Sequence, residues 1–113
     1  MSTTETNFHL GNDSQPWVQV AEGMRRQVLA HDPQMMLVRV AFEKGGIGAL
    51  HHHVHTQITY VQSGVFKAVV GDETRVMQAG DVFYAPSNVC HSVECLEAGV
   101  LVDTFSPMRE DFI

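Results

Sequence analysis

Basic residues are scarce in this chain. Seven Lys and Arg stand against thirteen Asp and Glu, so the formal net charge is −6 with the histidines neutral. A nucleic-acid role has no basic footprint to rest on, and the acidic balance favours solubility without identifying a partner. Cysteine is also sparse. Cys90 and Cys95 are the only two, and a separation of five puts them on opposite faces of a regular strand. Both are expected as free thiols in a reducing compartment. No apolar run is long enough to span a bilayer. The opening Met-Ser-Thr-Thr-Glu-Thr-Asn has no basic stretch leading into an apolar one, so it does not read as a signal peptide, and the expected location is the cytoplasm. A long helical pattern is missing too.

What remains is one domain's worth of short strands. The 113 residues allow a single core, and 44% hydrophobic residues is ordinary for a globular protein. Residues 1–15 are polar and aperiodic and read as an arm, leaving 16–113 as the domain. Strands are expected at Trp17–Val20, Met24–Leu29, Met35–Phe42, Ile58–Gln62, Val65–Val70, Thr74–Met77, Val82–Ala85, His91–Leu96 and Val100–Phe105. Turn signals separate them: Glu22-Gly23, His31-Asp32-Pro33, Ser63-Gly64, Gly71-Asp72, Gln78–Asp81 and Glu97-Ala-Gly99. Glu43–Gly48 reads as a flexible loop, and Ser106-Pro107 as the cap and first residue of a helical turn. Many short strands with frequent turns predict an all-β sandwich or barrel.

The chemistry concentrates in one stretch. His51, His52, His53 and His55 put four of the seven histidines within five residues, with Gln57 just beyond. In an extended segment His51 and His53 share a face. Two imidazoles on one face followed by a further polar ligand make part of a metal site, and imidazole suits Zn, Cu, Fe and Ni. His91, after Gly80 and Pro86, can add a third imidazole. His52 has the wrong parity, and His55 falls in the loop between ligands, within reach of a substrate. Any one of these histidines alone would be an ordinary surface or core residue. The expected ligands are therefore His51, His53, Gln57 and His91. Gln57 is the weakest donor, because a neutral amide oxygen binds less strongly than a carboxylate. With four neutral ligands a divalent ion would keep its full charge and be a strong electrophile toward an anion.

These residues resemble the two motifs of the cupin superfamily. Gly45, His51, His53, Gln57 and Gly64 meet the spacing of the first motif, with glutamine replacing the commoner glutamate. Gly80, Pro86 and His91 meet the second, in which Asn88 stands where a glycine is usual and Cys95 where an asparagine is. Asn88 tolerates a left-handed backbone, so the turn is expected to survive. The resemblance implies a small single-domain antiparallel β-barrel or jelly-roll sandwich holding a divalent transition metal (Ni, Zn, Fe or Mn), commonly paired as a homodimer. Further strings, His55-Thr-Gln-Ile-Thr-Tyr-Val, Ala79–Pro86 and the tail Val102-Asp-Thr-Phe-Ser-Pro-Met-Arg109-Glu-Asp-Phe112, are similar to the KdgF-like pectin-degradation proteins, from about Trp17 to the C-terminus. That likeness implies metal-dependent ring opening and ketonisation of a 4,5-unsaturated galacturonate or mannuronate monomer, an isomerisation of a small-molecule substrate with no redox change.

Asp103 interrupts the apolar strand Val100–Phe105 and by alternation shares a face with Leu101 and Phe105. A carboxylate on an inner face is costly unless it is paired or working. The bland alternatives are a structural hydrogen bond or an exposed strand end, and the tail likeness favours an acid/base. The same likeness makes Arg109 a carboxylate clamp instead of a solvated charge, and Phe105 a wall of the sugar pocket as well as core. Two other functions stay open on the sequence: a cupin dioxygenase, which needs a redox-active metal, and a non-catalytic sugar-binding module.

Overall fold

The computed structural model describes residues 8–113, so the first part of the expected arm, residues 1–7, lies outside the described residues. Eight strands follow one another: β1 (Val18–Ala21), β2 (Met24–Asp32), β3 (Met35–Phe42), β4 (Ile47–His51), β5 (Thr56–Val70), β6 (Glu73–Gln78), β7 (Val82–Ala85) and β8 (His91–Ser106). All pairings are antiparallel, in the order β1-β2-β3-β8-β5-β6, with β4 added against β8 and β7 against β5. The long strands β5 and β8 each serve both layers. Their outer portions pair with β7 and β3, their inner portions with β6 and β4, and the bend between folds the sheet face to face on itself. Met36, Val38, Val40, Phe42 and Leu101 from one layer meet Phe66, Ala68, Met77 and Cys95 from the other in a single core. Phe42 and Phe66 close it edge to face at 5.2 Å.

Four expectations need correction. Ile58–Gln62 and Val65–Val70 are one strand, and so are His91–Leu96 and Val100–Phe105. Ser63-Gly64 and Glu97-Ala-Gly99 do not end strands. They bend two that stay paired, and the register slips there by bulges. The expected flexible loop after Phe42 ends sooner than read, since Ile47–His51 forms β4 and pairs Ile47 with Glu94, Gly48 with Val93 and His51 with His91. Finally, the helical turn does not start at Pro107 but is a 3-10 turn at Glu110–Phe112. Asn88 does take the left-handed backbone, at φ 65°.

Alternation places the site. On the inner face of the first layer, Gln57 on β5 pairs with Phe105 on β8, Thr59 with Asp103 and Val61 with Leu101. The rungs continue onto β3 as Met36, Val38 and Val40, and Val40 pairs with Arg26 on β2. Polar and charged groups thus stand on a face whose other members are core.

Candidate active site

The three imidazoles converge from two places. His51 closes β4 and His91 opens β8, directly opposite one another with ring centroids 4.4 Å apart. His53 lies just past the strand, where its carbonyl accepts the Asn88 N–H at 2.7 Å. Its ring sits 5.3 Å from His51 and 4.9 Å from His91. One ring nitrogen from each histidine falls within 4.8 Å of the others, and among the described residues this is the one cluster that could hold a metal ion. His52 turns aside, its Nδ1 4.0 Å from the exposed Cys90 Sγ. His55 stands edge-on to His53 outside the cluster. Both cysteines are free, and buried Cys95 donates its thiol to the Glu97 carbonyl oxygen at 3.1 Å.

The hydrogen bonds around the imidazoles fit a cation. Each Nδ1 faces a backbone carbonyl: His51 to Ala49 at 2.7 Å, His53 to His55 at 3.0 Å and His91 to Val89 at 2.9 Å. A carbonyl only accepts, so each Nδ1 must carry the proton and each Nε2 presents a lone pair inward. Burial lowers the pKa of His53 and of His91, with the neighbouring Arg109 charge adding to the effect at both, which favours neutral rings. The Gln57 amide is oriented by its own donor, Nε2 to Thr59 Oγ1 at 2.9 Å. Its Oε1 therefore lies 3.0 Å from His53 Nε2 and 3.1 Å from His91 Nε2, acceptor against acceptor. Three or more lone pairs aimed at one point without a shared proton are reconciled by a positive ion. The donor set, imidazole nitrogens plus one amide oxygen, suits a divalent transition metal.

Beside the imidazoles lies a cavity of about 400 Å³, lined among others by His51, Gln57, His91, Asp103, Phe105, Arg109, Arg26 and Phe112. Asp103 is buried, and its Oδ1 accepts the Thr59 hydroxyl at 2.7 Å. This leaves Oδ2 for proton exchange. Burial pushes its pKa up to about 6, against the opposing pulls of the Thr59 hydrogen bond and the Arg109 charge. The exposed-strand-end reading of Asp103 is thereby removed. Phe105 touches His53 edge to face at 5.8 Å and Phe112 at 5.6 Å. Arg109 lies over both rings, 5.2 Å from Phe105 and 4.3 Å from Phe112. Its Nε and Nη2 donate to the two carboxylate oxygens of Asp111 at 3.1 and 2.9 Å.

Thr59, Asp111, Arg26 and Phe112 were not singled out in the sequence. Thr59 joins Gln57 to Asp103, and its signal was its inward parity between Gln57 and Val61. Asp111 holds the Arg109 fork, a contact that only the 3-10 turn creates. Arg26 lines the cavity from β2, where Met24 and Val28 share its face.

The chain matches the family model described as Cupin domain over residues 38–105. It is 42% identical over 104 residues to the pectin degradation protein KdgF of Dickeya dadantii (strain 3937), covering 90% of this chain and 94% of that one. Among solved structures it is similar to KdgF from Halomonas sp., with TM-score 0.88, 38% identity and coverage of 92% and 98%. It is also similar to an RmlC-like cupin from Shewanella frigidimarina NCIMB 400, with TM-score 0.91, 36% identity and coverage of 96% and 97%.

Proposed function

Because this chain belongs to the cupin family, and within it to the KdgF pectin-degradation proteins, we propose that it is an enzyme that opens and ketonises 4,5-unsaturated uronate monomers from pectin or alginate to the linear 5-keto-4-deoxyuronate. The observation that carries this reading is the meeting of an imidazole cluster, a buried carboxyl of raised pKa and a guanidinium on one sugar-sized cavity.

In the net reaction the anomeric hydroxyl loses its proton, the bond from C1 to the ring oxygen breaks, and C4 gains a proton as C5 becomes a ketone. His51, His53, His91 and Gln57 would hold a divalent transition ion, which when bound supplies Lewis-acid stabilisation of negative charge on a substrate oxygen. Asp103 moves a proton at Oδ2, since Thr59 occupies Oδ1. A pKa about 6 suits that task, because the group can both hold and release a proton near neutral pH. Gln57, through Thr59, keeps the carboxyl in register with the imidazoles. Arg109 offers Nη1 and the second hydrogen of Nη2 to the substrate carboxylate, Asp111 holding Nε and the other Nη2 hydrogen. Phe105 and Phe112 line the cavity and exclude water.

The test is incubation with unsaturated uronate monomer under strictly anaerobic conditions. Loss of the double bond's ultraviolet absorbance should outrun a protein-free blank, with NMR identifying the linear ketone. A requirement for oxygen would move the protein to the dioxygenases, and binding without conversion would make it a sugar-binding module.

The ligand set has its own test. His91→Ala should remove most of the bound metal, while His52→Ala should leave it in place. Imidazole distances should be about 2.0–2.1 Å if the ion is zinc. Equal metal content in the two variants would sink the assignment.

We further propose a homodimer. Ile58, Tyr60, Val82 and Tyr84 are exposed side by side on the outer face of β5 and β7, and among the described residues β1 and β6 end the strand order paired on one edge only. Light scattering should give twice the 12.5 kDa chain mass. A concentration-independent mass of one chain would end this proposal.

A further inference from the structure

Arg26 is out of place by the rules of its own strand. Its neighbours on the same face are Met24 and Val28, and the residues opposite these three on β3 are Phe42, Val40 and Val38, all buried core. A guanidinium on such a face loses solvation and needs a compensating partner. Among the described residues it has no ion pair and no side-chain hydrogen bond. The nearby carboxylate, Asp111, gives both oxygens to Arg109. What holds Arg26 is stacking: its guanidinium carbon lies 3.7 Å from the Phe112 ring centroid. Arg109 lies 4.3 Å from the same centroid, so one phenyl ring supports both cations. Burial pulls the pKa of Arg26 down, Asp111 offsets this in part, and Arg109 adds to it. A guanidinium does not lose its proton in practice, so Arg26 stays cationic without an ion pair of its own among the described residues.

We propose that Arg26 is a specificity-determining residue that offers its free guanidinium fork to the carboxylate of the uronate, completing a two-arginine anion pocket with Arg109. Arg109 is poorly placed to do this alone, because Asp111 neutralises it and takes one edge of its fork. Arg26 has its hydrogen-bonding edge open, and its contact with the Phe112 ring positions the guanidinium before substrate arrives, which suits charge-assisted hydrogen bonds to a carboxylate. A substrate with no carboxylate would leave the Arg26 fork without a hydrogen-bond partner. The device therefore favours uronates over neutral sugars by what it adds to uronate binding. This inference rests on the uronate reading above.

The experiment compares galacturonate with galactose, which has the same ring without the carboxylate, by calorimetry on the metal-loaded protein. Wild type should prefer galacturonate. Arg26→Met keeps the apolar stem and removes the fork. It should bind galacturonate roughly 10–100-fold more weakly, the scale of a lost charge-assisted hydrogen bond, and leave galactose binding unchanged. kcat/KM for the unsaturated uronate should fall by a similar factor. Arg26→Lys keeps the charge and should recover only part of the loss. Because that variant preserves both charge and stem, it also serves if Arg26→Met melts early. Variants with wild-type melting that still prefer galacturonate as strongly as wild type would overturn the role of Arg26 while the uronate reading stands. A wild-type protein that neither prefers galacturonate nor converts the unsaturated monomer would overturn that reading, and this inference with it.

Discussion

Asp103→Asn should reduce turnover by roughly 10²–10⁴, the usual scale of general acid–base catalysis, with metal content unchanged. The amide keeps the size of the side chain, and its oxygen can still accept the Thr59 hydroxyl, which now lies 2.7 Å from Oδ1. What it loses is the capacity to take up and release a proton. The same substitution should make the fold more stable at neutral pH. Burial holds the Asp103 pKa at about 6 in the folded protein, above the 3.8 of an ordinary carboxyl. Below about pH 4 the group is protonated in both folded and unfolded chains, and its contribution to stability is fully present. As pH rises from there to 6 the unfolded chain ionises first, so stability falls. Above 6 the loss is constant, at roughly 3 kcal/mol or less. Asparagine has no such loss. Melting curves of the two proteins should therefore converge near pH 4 and separate at pH 7.5, with the variant melting higher. Comparing the two at each pH cancels the titration of the histidines, which both share. A purely structural Asp103 predicts the reverse, a variant that melts lower and turns over normally. A fully active Asp103→Asn protein would leave the imidazole cluster as the remaining catalytic element.

The sequence carried those parts of the site that are local or set by parity. His51 and His53 are two apart, His91 stands at a fixed distance from a proline turn, and Asp103 is the charged residue in an apolar strand. Each of these positions can be read without knowing which strands are neighbours. Arg26 and Thr59 are different. Arg26 follows another arginine, and nothing local says which of the two faces inward. That depends on Arg26 pairing with the buried Val40 and on Phe112 folding back beneath it from the far end of the chain. Arg109 was found by likeness, but its engagement with Asp111 needed the turn at Glu110–Phe112. The strand misreadings have one cause as well. Glycine-containing segments read as breaks in a sequence, whereas in this fold glycines let strands bend or pass closely while still paired.

That use of glycine sets the second large effect. Gly64 on β5 and Gly99 on β8 pass each other where both strands bend. A Cβ on Gly99 would run into the Ser63 carbonyl oxygen and come within 2.5 Å of Gly64 Cα. A Cβ on Gly64 would come within 2.6 Å of the Glu97 carbonyl oxygen and 2.7 Å of Gly99 Cα, at a backbone φ of 85°. All of these are backbone atoms, so no rotamer change relieves the clash, and the strands must separate at the corner that joins the two layers. Gly99→Ala should therefore cost about 3 kcal/mol or more, above the usual range for a single methyl. For a domain of this size that is a fall in Tm of roughly 10–20 °C. Gly71→Ala is the comparison. It also adds one methyl, at φ 60°, but the nearest atom would be Val89 Cγ1 at an ordinary 3.6 Å. Its cost is that of a left-handed alanine, about 1–2 kcal/mol. Thermal melts of both variants test the difference. If Gly99→Ala melts no lower than Gly71→Ala, the two long strands do not cross as closely as described. The corner would then no longer explain why two turn-like sequences leave β5 and β8 unbroken.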